Sequence, residues 1–391
     1  MKILNTRYLL ILMLLAVTSC SNNPKANDPD LEFIAAADWR YKALPAFQTP
    51  EHFLGALLAI KEIGKGDFMI SPGDVEPVEA SAKLIGEILG EDYIWYPIIG
   101  NHELEIPSSV DYLRAINPDG KTLPSIVNPG PPGTEETTYS FNWGDIHFVV
   151  LNVYYDGTSD VAGHQDGSVV PELNAWLDAD LSQNSRKVNL VFAHAPMLAI
   201  PDMDNGRVRH QGEVLDRVPL QVHQFHKTML KHSVDAYFCG DTHGTSVAKI
   251  NGVWQVDVGH ARGVEELFPA IIYQDLQQLG NLEQPGVMES YFEPRKYNVK
   301  KALYYMDLTG GVDYKVIEDQ AALEAFHVFK TKVDADPALL HDYDEAYRTR
   351  FNTARSTFIK VGIYGEEVRL KIYRDDSRGG PYTLTKEVVL N

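Results

Sequence analysis

Short apolar runs alternate with longer amphipathic stretches over the first hundred positions that can fold. Phe33 to Ala37, Phe68 to Ile70 and Tyr93 to Ile99 read as strands, with helices at 51–64 and 79–89 between them. That βαβαβ order predicts a parallel sheet, and polar residues with chemistry to perform collect at the C-terminal ends of such strands. A polar loop rich in Pro and Gly spans 117–137. Thr138 to Asn142 and Ile146 to Leu151 then read as paired strands around a tight Trp143-Gly144-Asp145 turn. A helix over Pro171 to Leu181 leads to a strand at Val188 to Ala193, and a helix over 220–231 leads to Val234 to Phe238. Ala248 to Ile250 and Val253 to Val258 flank Asn251-Gly252, the pair that a type I′ hairpin turn favours. Residues 263–300 show no readable period. Ile359, Val361 and Ile363, then Val368, Leu370 and Ile372, alternate on either side of Gly365 and predict a hairpin with one buried face. The Tyr- and Asp-rich stretch 342–347 reads as a solvated helix face.

Composition narrows the class. With 44% hydrophobic and 23% charged residues, the 391-residue chain is neither disordered nor fibrous, and its length suits one to three domains. It carries 54 acidic against 35 basic residues, a net charge of -19, so it repels phosphate backbones at long range and no nucleic-acid partner is expected. Lys2 and Arg7 flank the start of an apolar run from Tyr8 to Val17 that is too short to span a bilayer and reads as a secretory signal. Val17-Thr18-Ser19-Cys20 resembles a bacterial lipobox, so the expectation is an exported lipoprotein, facing the periplasm or the cell surface, anchored by a lipid on Cys20. Residues 1–19 would be the signal, 20–30 a tether, 31–265 the core and 266–391 a region completing the second sheet. Cys239, the other cysteine, ends an apolar run and reads as a small buried residue.

The strand ends carry the chemistry. Asp38 follows Phe33 to Ala37; Gly73-Asp74 follows the second strand; Gly100-Asn101-His102-Glu103 follows the third. His194 follows Val188 to Ala193, and Gly240-Asp241-Thr242-His243 follows Val234 to Cys239. Five apolar strands thus deliver Asp, Asn or His to one sheet edge, which is how metal ligands are assembled from distant sequence. The glycines before Asp74, Asn101 and Asp241 suit sharp turns where a side chain would crowd the site.

In that order these residues resemble the metallophosphoesterase, or calcineurin-like phosphoesterase, superfamily, whose pattern is Asp-x-His, Gly-Asp, Gly-Asn-His-Asp/Glu, His, Gly-His-x-His. Tyr139 to Phe148 looks like a strand pair of its purple acid phosphatase branch. The resemblance implies an α/β fold with two facing mixed sheets flanked by helices, a four-layer αββα sandwich. It also implies one or two divalent ions (Mn²⁺, Fe, Mg²⁺ or Zn²⁺). Asp38, Asp74 and His243 would hold the first ion; Asp74, as a bridge, with Asn101, His194 and Asp241 would hold the second. Two such ions about 3.5–4 Å apart polarise a phosphoryl group and activate water. His102 would protonate the leaving alkoxide or stabilise phosphoryl charge, with Glu103 orienting it.

Two positions depart from the pattern. Arg40 replaces the histidine of Asp-x-His and cannot ligate a metal. The tyrosine that the purple acid phosphatases place three residues after the Gly-Asp aspartate is here Pro77. Asp241 replaces the first histidine of Gly-His-x-His, which favours hard ions such as Mn²⁺, Mg²⁺ or Fe over Zn²⁺. Either Arg40 clamps a phosphoryl group over a weakened first site, or Arg40 pairs with Asp241 and the protein binds without cleaving. The first reading gives a metal-dependent phosphomonoesterase or phosphodiesterase acting on a small phosphorylated substrate; the second gives an inactive envelope binding protein. Arg207, Arg209, His210, His260 and Arg262 read as loop residues more than substrate contacts, and His147, His164, His223 and His226 as structural.

Overall fold

The computed structural model describes residues 28–40, 49–261, 269–280, 284–351, 355–375 and 381–390. The expected signal segment, Cys20 and Arg262 lie outside the described residues.

The chain opens with β1 (Leu31–Ala35), α1 (Thr49–Ile63), β2 (Phe68–Ser71), α2 (Val78–Leu89) and β3 (Ile94–Pro97). α3 (Pro107–Ile116) follows, then β4 (Ile126–Pro129), β5 (Tyr139–Trp143), β6 (Ile146–Val150), α4 (Pro171–Gln183), β7 (Val188–Phe192), α5 (Pro219–Lys231) and β8 (Ala236–Cys239). β9 (Thr245–Ile250) and β10 (Val253–Val258) form the hairpin around Asn251-Gly252, both residues at positive φ as a type I′ turn requires. Four helices, α6 (Pro269–Gln278), α7 (Val287–Tyr305), α8 (Asp319–Ala335) and α9 (Leu339–Phe351), precede β11 (Thr357–Tyr364), β12 (Glu367–Arg374) and β13 (Thr383–Leu390).

The strands form two sheets, in the orders β13-β12-β11-β1-β2-β3 and β4-β5-β6-β7-β8-β10-β9. β1, β2 and β3 run parallel, as do β6, β7, β8 and β10, while the flanking strands are antiparallel, so both sheets are mixed. The period of two decides the layering. Phe33 and Ala35 of β1 and Leu190 and Phe192 of β7 enter the apolar layer between the sheets, while Ile34 and Val191 face the helices outside. The inner layer is aromatic, with Phe141 stacked on Phe148 at 4.6 Å and Phe192 on Phe238 at 4.8 Å between ring centroids. This is the expected four-layer αββα arrangement. Both halves of the C-terminal alternation, Ile359, Val361, Ile363 and Val368, Leu370, Ile372, point into that same layer, extending the sheet of β1.

Helices α6–α9 enclose an apolar set of their own, including Ile272, Phe292, Phe326 and Tyr347. The solvated face expected at 342–347 is corrected here: Tyr347 is fully buried, and the buried Asp344 carboxylate accepts the Ala270 amide at 3.0 Å. Tyr and Asp alternate there because one side of α9 packs on α6. Among the described residues no helix is long and apolar enough to cross a membrane.

Candidate metal centre

Hydrogen bonding continues past the strand ends and draws the loops together. The Asp38 amide donates to the Gly73 carbonyl at 3.1 Å and the Arg40 amide to the Asp74 carbonyl at 3.0 Å, while Gly240 donates to the His194 carbonyl at 2.8 Å. Each ligand then leaves its strand abruptly. Asp38, Asp74, Asp241 and His243 all adopt positive φ, 57°, 55°, 70° and 56°, a conformation costing non-glycine residues on the order of 1–3 kcal/mol when the surroundings impose it. Glycine supplies the clearance. A Cβ on Gly100 would lie 2.3 Å from Asp74 Oδ1, and one on Gly240 2.4 Å from Asp38 Oδ2.

Ligand atoms of Asp38, Asp74 and His194 lie within 4.8 Å of one another, and all three residues are buried. Asp241 joins them: its amide donates to both Asp38 oxygens at 3.2 and 3.1 Å, and its Oδ1 lies 3.8 Å from His194 Nε2. His194 Nδ1 is 2.6 Å from the Pro72 carbonyl and must carry a proton to bond it, so in the neutral ring Nε2 presents its lone pair to the carboxylates. Asn101 Oδ1 and His194 Nε2 are both buried without a hydrogen-bond partner. His194 Nε2 lies 3.4 Å from Asp74 Oδ1, and an unpartnered imidazole, an unpartnered amide oxygen and carboxylates are the donors a hard divalent cation takes. Burial opposes a charged His194, but Asp74, Asp38 and Asp241 outweigh it and carry its pKa up to about 9, so a cation binding at Nε2 would displace a proton. Burial likewise pushes the Asp38 and Asp241 carboxyls up, with His194 opposing, so a bound cation would relieve charges the fold has gathered at a cost.

The other half of the pocket differs. His243 Nε2 lies 3.7 Å from Asp38 Oδ1, but its Nδ1 is in contact with the guanidinium of Arg209. Arg40 does not reach for Asp241. Its Nε donates to the buried Glu76 at 2.8 Å and its Nη2 lies 3.6 Å from Glu105, so of the two alternatives for Arg40 the pairing with Asp241 is not the one seen.

The expected role of Glu103 is also corrected. Its carboxylate accepts the amides of Asp74 (3.0 Å), Val75 (2.7 Å) and Gly100 (2.5 Å), bracing two ligand loops, and none of these bonds reaches His102. Burial and the neighbouring charges of Asp74 and Glu76 push its pKa up, against the pull of those amides. The carboxylate beside His102 is Glu105, 2.9 Å from Nδ1, while Nε2 stands 3.7 Å from Asp74 Oδ2. Spacing could have suggested this partner, since Glu105 lies three residues on, within one turn.

Of the loop residues, Arg209 belongs to the pocket wall, and the His260 ring lies 5.8 Å from that of His243. His210 opposes the rise of the Asp241 pKa, whereas Arg207 serves its loop through a carbonyl that accepts the Asp202 amide at 2.8 Å. Asp257 carried no signal in the sequence. It is buried on β10 and accepts the Thr242 hydroxyl at 2.5 Å and the Gly259 amide at 3.0 Å, fixing the turn between Asp241 and His243. His147 is structural as expected, held between Asn142 and Asp180 at 2.7 and 2.8 Å.

Comparison with known proteins bears on the fold and the family. PhoD superposes with a TM-score of 0.49 at 10% identity, covering 93% of this chain and 70% of its own. GAP50, the anchor in the inner membrane complex of Plasmodium, gives 0.38 at 13% identity, over 60% of this chain and 73% of that one. The phosphopantetheinyl hydrolase of Mycobacterium tuberculosis gives 0.35 at 17% identity, over 59% and 90%. No curated protein matches the chain. The sequence model of the calcineurin-like phosphoesterases matches residues 37–245, a span that opens just before Asp38, closes just after His243 and takes in all six candidate metal ligands; the chain belongs to that family.

Proposed function

We propose that the protein is a metal-dependent phosphoester hydrolase acting on a small phosphorylated molecule and tethered to an envelope membrane through a lipid on Cys20. The supporting observation is the buried, unpartnered His194 Nε2, 3.4 Å from Asp74 Oδ1 and 3.8 Å from Asp241 Oδ1, together with a second buried, unpartnered acceptor, Asn101 Oδ1. When bound there, a divalent ion polarises the phosphoryl group and activates water.

The protein's own groups supply the rest. Glu105 stands 2.9 Å from His102 Nδ1, so Nε2 is the ring atom left to pass a proton to the departing oxygen. Arg40 is held through Nε by Glu76 and faces Glu105, so an incoming phosphate would compete with Glu105 for its Nη2 edge. Glu103 holds the Asp74 and Gly100 turns in register, so the ligand loops do not reorganise as charge develops. The net charge of -19 sets a long-range barrier to polyanions and favours small substrates that the local positive groups can capture.

The test is metal content by mass spectrometry on protein purified without chelator, with hydrolysis of aryl phosphate mono- and diesters under added Mn²⁺, Fe²⁺, Mg²⁺ and Zn²⁺. His102→Ala should lower turnover about 10²–10⁴-fold with metal content unchanged, and least for nitrophenyl leaving groups that need no proton. Absence of both metal and turnover under every ion would leave a binding protein, and faster cleavage of DNA or RNA than of small esters would reject the substrate class.

A further inference from the structure

We infer that the Arg209 guanidinium takes the place of an ion at the Asp38–His243 side of the pocket, making this a one-ion centre with a built-in organic cation at its other position. The inference rests on the metal-binding reading proposed above and concerns how many ions that centre holds.

The donor chemistry at His243 carries it. A guanidinium has N–H donors and no lone pair, so His243 Nδ1, in contact with Arg209 Nη1, must accept. A neutral imidazole that accepts at Nδ1 carries its proton on Nε2, and Nε2 is the atom 3.7 Å from Asp38 Oδ1. Its proton faces the carboxylate, and no lone pair remains there for a cation. His194 has the reverse arrangement, with Nδ1 donating to Pro72 and Nε2 open. The two histidines are thus set in opposite tautomers by their outer partners, a carbonyl for one and a guanidinium for the other.

The neighbouring charges agree. Three carboxylates, Asp38, Asp74 and Asp241, meet in the pocket, and one divalent ion with one guanidinium balances them in full. Arg40 supplies no ligand on this side and is spent on Glu76 and Glu105. The Arg209 loop is also anchored. At its base the buried Asp202 carboxylate accepts the Thr245 amide at 2.7 Å and pairs with the buried Arg374 of β12 at 3.1 Å, and the Asp202 amide closes on the Arg207 carbonyl at 2.8 Å. An arginine held this way offers a phosphoryl oxygen the paired N–H donors that a second ion would offer as a Lewis acid.

Loading full-length protein with Mn²⁺, removing the excess, and measuring bound Mn together with the electron paramagnetic resonance spectrum tests this. The wild type should hold one Mn²⁺ per chain with an isolated-ion spectrum. Arg209→Ala, checked for an unchanged melting transition, should take up a second Mn²⁺ and show exchange coupling between neighbouring ions. Two coupled ions in the wild type would overturn the inference while leaving the hydrolase reading intact, and this outcome needs no variant. A folded Arg209→Ala that stays at one ion would overturn it as well. No Mn²⁺ and no turnover in the wild type would remove the metal reading and this inference with it.

Discussion

The two sides of the pocket share one construction and differ in what surrounds their histidines. Each side places carboxylates on turns at positive φ beyond parallel strands, next to glycines that leave no room for a Cβ, and sets an imidazole beside them. Around His194 the outer contact is a backbone carbonyl, which leaves Nε2 and Asn101 Oδ1 unspent. Around His243 the outer contact is a guanidinium, which reverses the proton and brings its own charge. Ligand identity alone therefore does not define a metal site; the atom behind each imidazole decides whether it can ligate.

The largest expected effect contrasts the two histidines directly. His194→Ala should empty the centre of metal and reduce turnover by about 10³-fold, the equivalent of several kcal/mol of lost charge stabilisation. His243→Ala should keep its single ion and lose no more than about tenfold; atomic emission on the purified variants and initial rates report both, and equal metal loss would erase the distinction. Next come the glycines. Gly100→Ala forces a methyl group to 2.3 Å from Asp74 Oδ1 and Gly240→Ala one to 2.4 Å from Asp38 Oδ2, so each should cost about 1–3 kcal/mol in denaturant unfolding. Only Gly100→Ala should also weaken Mn²⁺ binding markedly in a calorimetric titration, because the Asp74 Oδ1 it displaces lies 3.4 Å from His194 Nε2.

The smallest effect concerns the clamp beneath Arg209. Burial works to raise the Asp204 pKa, but hydrogen bonding to Arg355 and the charges of Arg374 and Arg355 outweigh it and hold the carboxyl below its ordinary value. A carboxyl with a depressed folded pKa stabilises above its unfolded value, near about 3.9, and that stability is lost as pH falls through the folded value. Asp204→Asn should thus lower the melting temperature slightly at neutral pH and converge on wild type at acid pH, as a pH series of melts would show. A constant offset across the series would mean that packing, not charge, is what Asp204 provides.

Much of this architecture is legible in the sequence because it depends on local periodicity. Apolar runs ending in Asp38, Asp74, Asn101, His194 and Asp241 announce both the strands and the face on which they terminate, and the alternation around Gly365 announces a hairpin. The helices at 269–351 are not legible in the same way: α7 carries Pro294 and charged residues on most sides, so its buried positions show no clean period. Nor is Arg209, which sits in a polar loop with no repeating pattern and meets His243 only through the fold. Glu103 and Glu105 show a third case, two acids two residues apart on one turn, where only the direction of each side chain separates a brace for backbone amides from a partner for His102.

The Asp202–Arg374 pair joins positions 172 residues apart. A chain emerging N-terminus first has every ligand of the Asn101–His194 side in hand once Asp241 has been made, well before Arg374 exists. The clamp that holds the Arg209 loop forms only when β12 docks, among the last events of synthesis. The ligand set of one side is thus complete along the chain 133 residues before the clamp on the Arg209 loop can close.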